Sequence, residues 1–217
     1  MQVIFLGLPG AGKGTQAASI TDEFLIPHIA TGDIFRAAIA AKTPLGEEVK
    51  GFLDQGLLVP DQLTIRIVRE RLLHADAAQG FLLDGFPRTI AQAEALDAML
   101  EAEQLPLTHV LYLEVSEDEL HARLTGRRVC PKCGASYHVT LNPPSEIDVC
   151  DRCKGALVQR EDDRPEAVTV RLRENLGRTG ELAQYYEQRG LLTRIQGENP
   201  ISEVYETIRQ ALRGRAE

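Results

Sequence analysis

Short apolar runs alternate with amphipathic stretches along most of the chain. Val3 to Leu6, with Gln2 ahead of it, is apolar and stops at a glycine-rich turn, and the QAASITDEF stretch behind that turn suits a helix. Ile26 to Ile29 reads as a short extended piece, followed by a turn and an alanine-rich helix from near Gly32 to Ala41. Pro44 suits the start of another helix, ending near Gly56. Leu57, Leu58 and Val59 read as extended. Asp61 is the expected N-cap of a helix over TIRIVRERLLHADAA, whose Ile65, Val68, Leu72 and Leu73 share one face. The run from Gly80 to Pro87 is apolar up to Asp84 and bounded by glycines, as a buried parallel strand would be. A helix over Ile90 to Glu103 and a strand over His109 to Val115 follow. Ser116 and Glu119 have the spacing of a capping box for a helix through Leu124. The pattern assigns no element between Asp163 and Leu191. It then gives a last strand, Leu191 to Ile195, and a last helix, Ile201 to Leu212. Strands alternating with helices predict an α/β fold with a parallel sheet covered on both faces.

The stretch from Gly126 to Asp163 breaks that rhythm. It holds all four cysteines, several prolines and no long amphipathic run, so it reads as an insertion. A chain of 217 residues accommodates one α/β domain with insertions. The net charge of −8 argues against a broad non-specific nucleic-acid footprint. The first apolar run is too short for a membrane span and lacks a basic leader, so no membrane association and a cytoplasmic location are expected. In that compartment, four cysteines point to metal or redox chemistry rather than disulfides.

Four constellations carry chemistry. Gly7 to Thr15, GLPGAGKGT, has the strand–glycine loop–lysine–helix order of a phosphate-binding loop. Its glycines let backbone N–H groups turn inward, the helix adds the positive end of its dipole, and Lys13 adds a point charge. Gly14 stands where Ser or Thr ordinarily meets Mg²⁺. Asp84-Gly85-Phe86-Pro87-Arg88 sits at the C-terminal end of an expected strand, the edge where open α/β sheets bind ligands. There Asp84 can order Mg²⁺-bound water and Arg88 can fork onto a phosphate. The arginines Arg36, Arg123, Arg127, Arg160 and Arg171 are scattered, and sequence alone cannot show that they converge. Cys130-x-x-Cys133 and Cys150-x-x-Cys153 present two thiol pairs suited to one tetrahedral Zn²⁺. A redox CxxC is the alternative, but it needs no second copy. A nucleic-acid-binding zinc ribbon is another, but the basic and acidic side chains of 126–163 cancel. His138 is a spare ligand candidate or a plain surface histidine.

Together GLPGAGKGT, TGDIFR, LLDGFPRT with Gln92, TGRR, and QREDD followed by Arg171 resemble the adenylate kinase family, over essentially the whole chain. The cysteine insertion is similar to the zinc-containing lid of its bacterial members, and Gly14 is the family's normal form. The resemblance implies a P-loop kinase core with a five-stranded parallel sheet (1–29, 60–125, 164–217), an AMP-binding helical insertion (30–59) and a lid (126–163). It implies transfer of a phosphoryl group from MgATP to AMP, giving two ADP and balancing adenine nucleotides, in a monomer. By it, Gly10, Ala11, Gly12, Lys13, Gly14 and Thr15 cradle ATP phosphates, and Arg127, Ser136, Tyr137 and Asn199 meet the rest of ATP. Thr31, Arg36, Leu57, Leu58, Val59, Gly85, Phe86, Pro87, Arg88 and Gln92 bind AMP, with Gln92 on the adenine edge. Arg123, Arg160 and Arg171 converge with Lys13 and Arg88 on the transferred group, the last two lid-side arginines also meeting AMP. Asp84 lies in the second shell of Mg²⁺, and Cys130, Cys133, Cys150 and Cys153 hold a structural Zn²⁺.

Overall fold

The computed structural model describes residues 1–214, so the last three residues of the expected core lie outside the described residues. Five parallel strands form one sheet: β1 (Gln2–Leu6), β2 (His28–Ala30), β3 (Phe81–Asp84), β4 (His109–Glu114) and β7 (Leu192–Gln196). Their order is β2-β3-β1-β4-β7. The central strands are apolar on both sides because helices cover both faces. Val3, Phe5, Leu82, Leu111 and Leu113 point to one face, under α1 (Lys13–Phe24), α6 (Glu117–Thr125) and α8 (Ile201–Arg213). Ile4, Leu6, Phe81, Leu83 and Val110 point to the other, under α4 (Asp61–Leu72) and α5 (Ile90–Ala102). Burying each such side chain stabilises the fold by roughly 1.5–3 kcal/mol.

The unassigned stretch after Asp163 is the longest helix, α7 (Pro165–Glu187). Its first half puts Val168 and Leu172 into one core cluster, and its second half puts Leu182, Ala183 and Tyr186 into the other. It also meets the first inserted segment: a Cβ on Gly56 would lie 2.5 Å from Arg171 Cγ and 2.8 Å from the Ala167 carbonyl.

That segment consists of α2 (Thr31–Ala40) and α3 (Pro44–Asp54), around a small cluster of Phe35, Val49, Val59 and Leu63. Thr43 caps α3 by accepting from the Gly46 N–H at 3.1 Å, with Pro44 at the first helical position. Gly46 is required by crowding: a Cβ there would come within 2.2 Å of the Ala38 carbonyl oxygen.

The cysteine-bearing segment has β5 (Arg127–Val129) antiparallel to β6 (Ser136–His138) and several isolated bridges. Its core is small, a cluster of Cys130, Ala135, Tyr137, Cys150 and Leu157 with Cys153 packed against it. His138 lies away from the sulfurs: its ring covers Gly126, with Nδ1 accepting from the Thr140 and Leu141 N–H groups.

Three local expectations are corrected. Ser116 is the N-cap residue of α6 but its side chain makes no capping hydrogen bond, and the Glu119 half of the box is missing too: the Ser116 N–H donates to Glu198 while Glu119 accepts from Arg123 Nε at 2.7 Å. Asp61 is the first residue of α4 rather than its cap, and its carboxylate faces Thr89 and Gln92. Helix α4 stops at Leu72, and residues Ala75–Ala77 form a separate 3₁₀ turn.

Candidate active site

The loop from Gly7 to Gly12 joins β1 to α1 at the C-terminal edge of the sheet. Gly10 and Gly12 have φ of 88° and 92°, a left-handed backbone that side chains resist. Lys13 folds back, its Nζ donating to the carbonyls of Gly7 (2.8 Å) and Leu8 (3.0 Å). Burial lowers its pKa from 10.5 to about 8, with nearby Arg88, Arg171 and Arg127 acting in the same direction and Asp84 against them. Gly14 faces Asp84: a Cβ there would stand 4.0 Å from Asp84 Oδ2. Burial pushes the Asp84 carboxyl up, but His28, Lys13 and Arg88 around it hold it below the ordinary carboxylate range. His28 Nε2 lies 3.5 Å from Asp84 Oδ2.

Beside this loop is a pocket where the ends of β2 and β3 meet α2, the Gly56–Val59 segment and α7. Thr31, Arg36, Leu57, Leu58, Val59, Gly85, Arg88, Gln92 and Arg171 all line it. Thr31 Oγ1 and Arg88 Nε both donate to the Gly85 carbonyl, at 3.0 and 2.8 Å. Phe86 does not open to the pocket, because its ring is in the core. Burial, together with Arg171, lowers the Arg88 pKa to about 10.

The other arginines come from segments distant in sequence. Arg171 Nη1 donates to the Asp162 carbonyl (2.7 Å) and to Asp163 Oδ1 (3.0 Å). Arg127 forks onto the same fully buried Asp163, with Nε 2.8 Å from Oδ2 and Nη2 2.5 Å from Oδ1. Burial works against the charge of Arg127, but Asp163 outweighs it and raises the pKa. Arg160 Nη2 reaches within 3.8 Å of Asp33 Oδ1, which also accepts from Arg36 at 2.6 Å, so the two inserted segments touch. Burial and the charges of Arg36 and Arg127 lower the Arg160 pKa to about 10.

Arg123 stands apart on α6, donating to Glu119 and, at 2.9 Å, to the Gly197 carbonyl. That carbonyl belongs to the turn carrying exposed Asn199, and a Cβ on Gly197 would lie 3.4 Å from the Ala11 carbonyl in the glycine loop. Ser136 is exposed; Tyr137 is buried, its hydroxyl accepting from the Asp151 N–H at 2.9 Å and lying 3.5 Å from Cys150 Sγ.

A family model for adenylate kinase matches residues 5–191. The chain belongs to the adenylate kinase family. It is 52% identical to the adenylate kinase of Exiguobacterium sibiricum, covering 99% of this chain and 100% of that one. It is 54% identical to that of Brevibacillus brevis over 99% of this chain and 100% of the other. To that of Bacillus subtilis it is 49% identical over 99% of both. The P-loop core, the parallel sheet and the phosphotransferase class stated above are those of an adenylate kinase.

The four thiols of this family member are free of disulfides and gather in one place, with all their sulfurs within 4.8 Å of one another. Cys130 and Cys153 are 3.4 Å apart, Cys133 and Cys150 3.5 Å. Sulfurs bound to one tetrahedral Zn²⁺ at about 2.3 Å would be separated by roughly 3.8 Å, so the donor set fits that ion. Burial pushes the Cys150 thiol up, but the Tyr137 hydroxyl and turn N–H groups pull it down; the Gly155 N–H pulls Cys153 down, but the neighbouring sulfurs and burial outweigh it and push it up.

Sequence reasoning missed His28 beside Asp84, Asp33 between Arg36 and Arg160, and Asp61 behind Gln92. Only the Asp33–Arg36 pair carried a local signal, the i,i+3 spacing on a helix.

Proposed function

We propose that this chain catalyses MgATP + AMP ⇌ MgADP + ADP. The observation that carries the reading is the gathering of Lys13, Arg36, Arg88, Arg160 and Arg171 around one cleft of a protein with net charge −8. Burial, with the charges of neighbouring arginines, lowers the proton affinity of Lys13, Arg88, Arg160 and Arg171, and gathered positive groups of this kind form a site for polyanions.

On this reading residues 10–15 cradle the donor phosphates and Arg127, Ser136, Tyr137 and Asn199 border the rest of ATP. The pocket lined by Thr31, Arg36, Leu57–Val59, Arg88 and Gln92 takes AMP, with Gly85 to Arg88 as its floor. Segment 30–59 closes over AMP and segment 126–163 over ATP, upon a core of 1–29, 60–125 and the residues after 163. The acceptor is a phosphate oxygen already largely ionised at neutral pH, since its second pKa is about 6. No general base is required. The protein supplies alignment and cationic stabilisation of charge on the moving group, from Lys13, Arg88, Arg123, Arg160 and Arg171. Mg²⁺ would come bound to ATP, and Asp84, beside Gly14 and Lys13, would hold its water. Closure excludes water, the competing acceptor.

Zinc stands outside this chemistry. Cys130, Cys133, Cys150 and Cys153 would hold the ion with four sulfurs, which would leave no place for substrate and would staple a segment with too small a core. Among the described residues no helix is long and apolar enough to cross a membrane. A cytoplasmic monomer without a nucleic-acid partner completes the proposal.

The test is ADP formation from MgATP with a panel of nucleoside monophosphates, in the native protein and in Arg88→Ala. AMP should be the preferred acceptor. Losing the Arg88 contact should cost about 2–4 kcal/mol in the transition state, roughly 30- to 1000-fold in turnover. Near-normal turnover of the variant would remove Arg88 from the site, and absence of transfer to any monophosphate would overturn the function.

A further inference from the structure

The Gln92 amide is held at both ends. The backbone N–H of Arg88 donates to Oε1 at 2.7 Å, and Nε2 donates to Asp61 Oδ1 at 2.7 Å. A backbone N–H can only donate and a carboxylate only accept, so these two partners dictate which end of the amide is oxygen and which is nitrogen. The remaining oxygen of Asp61 accepts from the Thr89 hydroxyl at 2.8 Å, and that hydroxyl accepts the Gln92 N–H at 3.2 Å, capping α5. Gln92 is 2% exposed and lines the pocket.

An amide offers two acceptor positions and two donor hydrogens. One of each is taken, leaving one acceptor and one donor in fixed places. A 6-aminopurine presents the matching pair, an amino donor at position 6 beside an acceptor at N1. A 6-oxopurine presents the reverse, an acceptor at position 6 beside an N1–H donor. A freely turning amide satisfies either base by rotating half a turn. Here that rotation would set the Gln92 NH₂ against the Arg88 N–H and its oxygen against the Asp61 carboxylate.

We propose that Asp61 is a positioning residue that locks the orientation of the Gln92 amide and so makes the acceptor pocket select 6-amino over 6-oxo purine monophosphates. This rests on the proposed placement of the acceptor base against Gln92. Asp61 acts through Gln92 and needs no contact with the nucleotide.

The experiment compares kcat/KM for AMP and for inosine monophosphate, with MgATP as donor. Wild type should favour AMP strongly; equal use of the two overturns the proposal without any variant. Asp61→Asn keeps the shape but can offer its NH₂ to a turned Gln92 oxygen. With only the Arg88 N–H left to oppose the turned amide, the AMP-to-inosine-monophosphate ratio should fall at least about tenfold, part of the roughly 10⁴–10⁵ by which a hydrogen-bonding site rejects a mismatched substrate. Thr89→Ala breaks the cap and the other Asp61 bond while leaving the Asp61–Gln92 bond; it should lower the melting temperature and leave the ratio in place. If Asp61 is only structural, both variants slow the two monophosphates in parallel, and the proposal falls. Asp61→Ser serves in the same comparison if Asp61→Asn is insoluble. Gln92→Leu separates the underlying reading. A ratio unchanged by Gln92→Leu means the base is read elsewhere, and a ratio collapsed by Gln92→Leu but not by the Asp61 variants refutes the role of Asp61 alone.

Discussion

Nucleotide binding should draw a proton onto Lys13. Burial, assisted by three arginines, lowers its pKa to about 8. Donor phosphates placed against Nζ favour the charged form and return the group toward 10.5, its ordinary value. With those two values, the nucleotide-free lysine is about 90% protonated at pH 7 and about 10% at pH 9, whereas the bound form is at least about 95% protonated at both. Binding therefore takes up about 0.1 proton at pH 7 and about 0.9 at pH 9, and the logarithm of affinity falls with pH by those slopes. Titration calorimetry with MgATP in buffers of different ionisation enthalpy reads the proton number directly. Lys13→Arg keeps a charge that does not titrate in this range and should lose the uptake. An uptake at pH 9 below about 0.2, or one equally large in Lys13→Arg, refutes the reasoning. Stability carries the matching sign. Between about pH 8 and pH 10.5 the unfolded chain keeps this proton while the nucleotide-free fold has released it, so Lys13 makes stability rise with pH across that window.

Metal analysis of the purified protein should find one Zn²⁺ per chain, and Cys150→Ser/Cys153→Ser should melt earlier and loosen residues 126–163 first. At a temperature where that variant is still folded, phosphoryl transfer should persist at a reduced rate; a metal-free native protein, or a variant inactive with unchanged melting, would sink the structural role. Asp163→Ala leaves Arg127 and Arg171 facing each other without their buried carboxylate. It should cost about 3–5 kcal/mol in urea unfolding, toward the lower end because both arginines retain some exposure; a loss under about 1 kcal/mol would contradict the pairing.

The strands were legible where burial on both faces makes a run apolar, as in Phe81–Leu83 and Val110–Leu113. Helix α7 was not, because its buried face includes Asn175 and Thr179 among the aliphatic positions and so blurs the period. The Ser116–Glu119 spacing misled because partners remote in sequence intervene: the Ser116 N–H goes to Glu198, 82 residues on. The glycine loop and the cysteine pairs carry their chemistry in local spacing and could be read directly. The arginine cluster could not, since its geometry depends on bringing α2, the end of β3, the cysteine-bearing segment and α7 together. Even the resemblance, which named Gln92, said nothing of Asp61.

All five parallel strands deliver their following turns to one edge of the sheet. Gly7, Thr31, Gly85 and Gly197 leave four of them there, and Ser116 follows the fifth. The turns that enter the strands, around Leu25, Gln79, Gln104 and Arg189, lie at the opposite edge and hold none of the pocket-lining residues. Tolerance to changes in chain length should thus be lopsided. A few polar residues spliced in after exposed Gln104 would lengthen a solvent loop far from the phosphates, whereas the same splice after Gly85 would displace Arg88 from its carbonyl. An insertion scan scored for activity would trace the sheet's polarity, with permissive sites on one rim and silent clones on the other.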